Sequence, residues 1–113
     1  MIDIKKNLNI LVIKRHGVYR FFMYKITYHQ KVIDIDIPKL STVIKIRIRK
    51  AIEQKLISDP LRFGKFLGNK LFPFRSLRIG EYRIVFSIEP KKEVFIVLIE
   101  HRSVAYKLVY KRI

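Results

Sequence analysis

Arginines stand at positions 75, 78 and 83 of the run Arg75-Ser-Leu-Arg78-Ile-Gly-Glu-Tyr-Arg83, along which apolar residues alternate. Alternation of that period buries one face of a strand and leaves the other to solvent. A guanidinium is permanently charged, and its rigid fork of donors fits two phosphate oxygens. Three of them along a strand, turn and strand therefore suit a phosphate-bearing ligand, with nucleic acid the first expectation. Lys65 and Lys70 lie just upstream, and Glu81 is the only acid between Arg62 and Arg83. The stretch reads as a positive strip. For Tyr82-Arg83 in isolation the plainer reading is a core tyrosine beside a solvated arginine; the company of Arg75 and Arg78 argues against it.

A second group, His101-Arg102 with Tyr106, follows the last apolar run. Four positions separate Arg102 from Tyr106, so on a helical turn they share a face. An aromatic ring beside a cation suits an unpaired base, the ring stacking on it while the cation holds its phosphate. The alternative is that His101 and Tyr106 merely complete the core. Other chemistry finds less support. His16 and His29 have no neighbours at metal-ligand spacing and the chain has no cysteine, so neither a metal nor a cofactor is expected. Gly64 and Gly68 lack the Lys-Ser/Thr ending of a phosphate-cradling loop. Asp34 and Asp36 alternate with isoleucines and read as a solvated edge.

Composition narrows the partners. Twenty-five Lys and Arg against nine Asp and Glu leave a formal charge of +16. That excess repels itself unless a polyanion or an acidic protein neutralises it. Eight Phe and six Tyr in 113 residues support a folded core, of one domain's size. No apolar run approaches the ~20 residues of a membrane span. Lys5-Lys6 with the apolar run at 8–13 lacks a signal peptide's cleavage site. A cytoplasmic location is expected.

The positioning elements follow from periodicity. Residues 24–29 alternate as a strand, and 31–40 fit a strand and a helix equally well. Ser41 can cap a helix whose stripe is Ile44, Ile48, Ala51, Ile52 and Leu56, ended by Asp59-Pro60. Residues 61–71 read as a loop. Strands are expected at 71–79, 82–88 and 93–99, joined tightly and hence antiparallel, and a short helix at 104–112. This is an α+β domain with helices packed on one sheet face. Residues 1–22 show no plan beyond a short strand at 8–13.

From 23 to 107 the chain resembles the RelE/ParE toxin superfamily of bacterial and archaeal toxin–antitoxin modules. The resemblance is carried by Asp59-Pro-Leu-Arg-Phe-Gly-Lys65 with Leu67-Gly-Asn69, by Arg75-Ser-Leu-Arg78-Ile-Gly80-Glu-Tyr82-Arg83-Ile-Val-Phe, and by His101-Arg102-Ser-Val-Ala-Tyr106-Lys107. Tyr24-Lys-Ile-Thr-Tyr-His and Ile37-Pro-Lys-Leu40 match the family's opening strand and first helix. It implies a toxin domain over 23–113, with 1–22 an extension outside the pattern. It implies a helical hairpin on a mainly antiparallel sheet of about four strands, and so a helix at 31–40.

For the RelE branch the resemblance further implies a ribosome-dependent endoribonuclease that cuts mRNA and is neutralised by a cognate acidic antitoxin. Arg83 would contact the scissile phosphate, with Arg102, Tyr106 and Arg78 completing the catalytic group and Arg75, Lys65, Lys70 and His101 holding RNA. RelE toxins often carry lysines near positions 75 and 78, where arginine is a poorer proton acceptor. The ParE branch poisons DNA gyrase and is not a nuclease; the retained Arg83, Arg102 and Tyr106 favour RelE. A third possibility is a degenerate module that only binds its antitoxin.

Overall fold

The computed structural model describes residues 23–113; the strand expected at 8–13 and the extension 1–22 lie outside the described residues. Strand β1 (Lys25–Tyr28) leads into α1, a π-helical turn Val32–Asp36 continued by Ile37–Lys39. The ambiguous stretch is thus helical. Val32, Asp36, Ile37 and Leu40 are all buried, a grouping that strand alternation cannot produce. In the wider π turn, Ile37 N–H donates to the Val32 carbonyl.

Helix α2 (Thr42–Ala51) is prolonged by a π-helical turn, Ile52–Leu56. Ser41 caps it as expected, its hydroxyl accepting from Ile44 N–H at 3.2 Å. Ile48, Ala51, Ile52 and Leu56 are buried in a row, so the periodic stripe is the packing face. Asp59 then caps a short α3 (Pro60–Phe63), accepting from Arg62 N–H. The region expected to be loop therefore contains α3 and a two-residue strand, β2 (Lys65–Phe66). Strand β3 (Arg75–Ile79) starts four residues later than expected, because Leu71 ends a 3₁₀ turn and Pro73 has no N–H to offer a ladder. Strands β4 (Tyr82–Glu89) and β5 (Glu93–His101) and helix α4 (Ala105–Arg112) complete the chain.

Among the described residues the sheet has five strands in the order β1-β5-β4-β3-β2, with only β1 and β5 parallel. The fifth is β2, too short for its two residues to show a period. One face carries α1 and α2 over Leu77, Ile84, Phe86 and Ile96. The other carries α4 over Val85, Val97 and Leu98, closed by Ala105 and Val109. Helices thus cover both faces, not one. A β-bulge explains why Val97 and Leu98 both reach the α4 side: Val85 pairs with Leu98 and Phe86 with Ile96, leaving Val97 over. Gly64 sits so close to this core that an added Cβ would fall 2.2 Å from Phe86 Cζ.

Burial overturns one expectation and tempers another. Asp36, read as part of a solvated edge, is 1 % exposed. Its Oδ2 accepts from Ile99 N–H and from Arg112, which offsets part of the cost of burying a charge in apolar surroundings, while Oδ1 is buried with no hydrogen-bond partner among the described residues. Tyr82, read as core, is only half-buried, with its ring edge-on to His101 at 5.6 Å.

Candidate functional site

Strand register brings the arginines together. Arg78 on β3 lies directly opposite Arg83 on β4, on the face that α4 covers. Like charges placed so are destabilising unless an anion lies between them. The register also sets Glu100 of β5 opposite Arg83, yet its carboxylate turns away to Lys39 at 3.1 Å and to His101 N–H. Among the described residues Arg83 makes no ion pair.

What holds Arg83 is neutral. One terminal nitrogen donates to Ser76 Oγ at 3.2 Å, and the guanidinium lies 5.3 Å from the centre of the Tyr106 ring. Its Nε is buried without an acceptor. A half-buried cation with an aromatic backing and, among the described residues, no carboxylate partner can pair with an anion.

Arg83 opens into a groove of about 480 Å³ lined by Lys65, Phe66, Leu67, Leu71, Tyr106 and Tyr110. Strand β2 presents Lys65 and Phe66 on one side, and α4 presents Tyr106 and Tyr110 on the other, four residues and so one turn apart. Phe66 meets Phe72 edge-on at 6.0 Å, extending the aromatic rim. Among the described residues no acidic side chain lines the groove. Apolar walls with two cations suit a flexible, single-stranded polyanion, whose bases need π surface and whose phosphates need charge.

The structure brings Arg83, Tyr106 and Lys65 into this groove, with Arg78 beside Arg83 in the sheet. Arg75 is used elsewhere, donating to the Gly64 carbonyl at 2.9 Å beneath the Phe66 ring, which fixes β2. Arg102 donates to Glu81 at 2.7 Å, and His101 contacts Ser103 at 2.8 Å; neither lines the groove. Lys70 is exposed in the 3₁₀ turn and also outside the lining. The Arg102 hydrogen bond, and then its charge, hold the Glu81 carboxyl below its ordinary value, with the His101 and Arg78 charges adding to the effect. Sequence reading missed Ser76, Phe66 and Tyr110. The spacing of Tyr106 and Tyr110 was the available signal for the last.

Among the described residues no cluster of His, Asp and Glu could hold a metal ion, and no helix is long and apolar enough to cross a membrane.

Comparison with known proteins agrees with this architecture. The family described as ParE toxin of type II toxin-antitoxin system, parDE, matches residues 36–106, more than half of the chain. The toxin–antitoxin complex RelBE2 from Mycobacterium tuberculosis contains a chain with 28% identity and a TM-score of 0.65, the match covering 72% of this chain and 93% of that one. The isolated RelE toxin of E. coli shares the fold at 19% identity and a TM-score of 0.57, over 80% of this chain and 97% of that one. No curated protein sequence is similar enough to add a further relative.

Proposed function

Because the chain belongs to the ParE toxin family of type II toxin–antitoxin systems, we propose that its toxicity is exerted on messenger RNA, cut within translating ribosomes, and is relieved by a cognate acidic antitoxin. The observation that carries this reading is Arg83: half-buried, backed by Tyr106, without a counter-ion, and opening into an aromatic groove. On this reading Arg83 would contact the scissile phosphate, and an aromatic groove around it suits a single strand.

The chemistry follows from those residues. Attack by a neighbouring 2′-hydroxyl forms an O2′–P bond as the P–O5′ bond breaks. It needs alignment, stabilisation of charge on the phosphate, an acceptor for the hydroxyl proton (a group in the site or water), and a proton for the leaving 5′ oxygen. Arg83, with Arg78 beside it, supplies the charge, and the walls formed by Phe66, Tyr106 and Tyr110 supply alignment. Lys65 and the tyrosine hydroxyls are the proton-bearing groups within the groove. His101, engaged with Ser103, would have to turn to take part.

Primer extension after induction tests the proposal. New 5′ ends at codon positions are expected in cells making the wild-type toxin and not in cells making Arg83→Ala. A second reading, a gyrase poison without nuclease activity, is favoured by the ParE family match and by the lack of a histidine or carboxylate in the groove. Intact mRNA with trapped gyrase and DNA breaks would select it. The antitoxin is proposed from the RelBE2 neighbour, described as a toxin–antitoxin complex, and from the charge of +16. Failure of a co-encoded acidic protein to co-purify or to relieve growth arrest would remove that part.

A further inference from the structure

The buried pair Asp36–Arg112 lies away from the groove, and the reading of the groove does not use it. Asp36 accepts from Arg112 at 2.5 Å and from Ile99 N–H at 2.9 Å, while Arg112 also donates to the Val97 carbonyl at 3.2 Å. The Arg112 side chain is 10% exposed and that of Asp36 1%. The place is determined by the sheet. β1 runs beside β5 as far as Ile96, and among the described residues no strand pairs with β5 beyond it on that side. The bulge at Val97 disturbs the ladder at the same point. Side chains from α1 and from the last turn of α4 take up backbone groups of β5 there.

Helix α4 needs such an anchor. It has eight residues, too few to be stable alone. Of these only Ala105 and Val109 are fully buried. Its first turn carries Tyr106 over Arg83, and its second carries Tyr110 into the groove. The chain ties the start of the helix to the sheet, Arg102 N–H donating to the Glu81 carbonyl. Near its other end the polar tie is Arg112.

We propose that Asp36 and Arg112 are positioning residues: by clamping the last turn of α4 to β5 beyond Ile96, they hold Tyr106 and Tyr110 at the groove and Tyr106 against Arg83. The role in activity rests on the groove being the toxin's working site; the role in geometry does not. Removing one partner leaves the other charge buried and unpaired, so the helix should release before the sheet does.

The test compares Arg112→Ala, Arg112→Gln and Asp36→Asn with wild type and with Tyr106→Ala. Hydrogen exchange at residues 105–112 should accelerate roughly a hundredfold in Arg112→Ala, with β3, β4 and β5 unchanged. The side-chain Nε–H resonance of Arg83, shifted in wild type by the Tyr106 ring, should move to its position in Tyr106→Ala. Production of mRNA 5′ ends should fall as far as in Tyr106→Ala, and combining the two substitutions should add little. Arg112→Lys should recover part of each signal.

Asp36→Asn and Arg112→Gln keep hydrogen-bonding capacity at the site and serve if Arg112→Ala does not fold. A folded variant with wild-type exchange in α4 and an unmoved Arg83 resonance would overturn the proposal. So would acceleration spread evenly through the sheet, which is the mark of a merely structural pair. If α4 is released and Arg83 moves, yet neither these variants nor Arg83→Ala changes mRNA cleavage, the clamp stands and the ribonuclease reading falls.

Discussion

Arg83 is held by Ser76 and the Tyr106 ring, and among the described residues it makes no ion pair on which the fold depends. Arg83→Ala should therefore leave the circular dichroism and melting curve nearly unchanged while lowering mRNA cleavage on the order of a hundredfold, the usual effect of deleting one oriented charge-stabilising donor. Tyr106→Ala should cost about tenfold, as one stacking surface is worth roughly 1–3 kcal/mol. A folded Arg83→Ala variant of full toxicity would leave the ribonuclease reading without its main residue. Arg102 ranks lower because Glu81 engages it. The Glu81 carboxyl is depressed in the folded chain, so the pair persists above its ordinary value of 4.5 and is lost as pH falls through the lower, folded value. Glu81→Gln should free Arg102 and strengthen RNA binding at neutral pH, and the difference from wild type should vanish in acid. Equal affinities at neutral pH would show that Arg102 does not reach RNA. The sequence pointed to Arg83 and Lys65 through the run of basic residues, and to Tyr106 through its spacing from Arg102. That the Tyr106 ring instead meets Arg83 follows from the sheet and was not readable locally. Nor was the burial of Asp36, because its partner Arg112 lies 76 residues on and alternation with isoleucines imitates a solvated edge.

Where an element's period exceeds its noise, the sequence was a good guide. The stripe from Ile44 to Leu56 survives as the buried face of α2, and Ser41 caps it, because both signals are confined to a few neighbouring residues. The long strands β4 and β5 were legible for the same reason. Strand β2 was not: it exists through its pairing with β3, Lys65 opposite Ser76 and Phe66 opposite Arg75. Gly64 makes that pairing possible, since it lets the chain between α3 and β2 pass against Phe86. Gly64→Ala should overpack this contact and cost about 1–3 kcal/mol, measured by denaturant unfolding. It should also reduce toxicity beyond its effect on folding, because β2 carries Lys65 and Phe66 to the groove. Tyr82→Ala should cost about 2 kcal/mol, less than the roughly 3–5 kcal/mol of a fully buried aromatic such as Phe86, in keeping with its half-exposed ring. If Gly64→Ala is neutral in both assays, the crowding is relieved by a small shift of Phe86 and β2 is not the element that sets the groove.

At the scale of the whole molecule, the carboxylates are committed to the scaffold and the surplus cations are not. Asp36 holds Arg112, Glu81 holds Arg102, Glu100 holds Lys39, and Asp59 caps α3. Among the described residues no acid lines the groove, so Lys65 and Arg83 are not neutralised there, and the chain's formal charge of +16 favours polyanions. If the proposed RNA target holds, an acidic antitoxin and RNA would compete for one field and exclude each other. The salt dependence of binding to a single-stranded RNA separates the cationic part of this surface from the aromatic part. Each phosphate neutralised contributes about −0.7 to the slope of log affinity against log salt, so Lys65, Arg78 and Arg83 together predict a slope near −2. Lys65→Ala should weaken binding and make the slope shallower by about 0.7. Tyr110→Ala should weaken binding by a comparable amount with the slope unchanged, since stacking releases no counter-ion. If the slope is the same in wild type and Lys65→Ala, phosphates do not lie along β2 and the strand takes another path across the sheet.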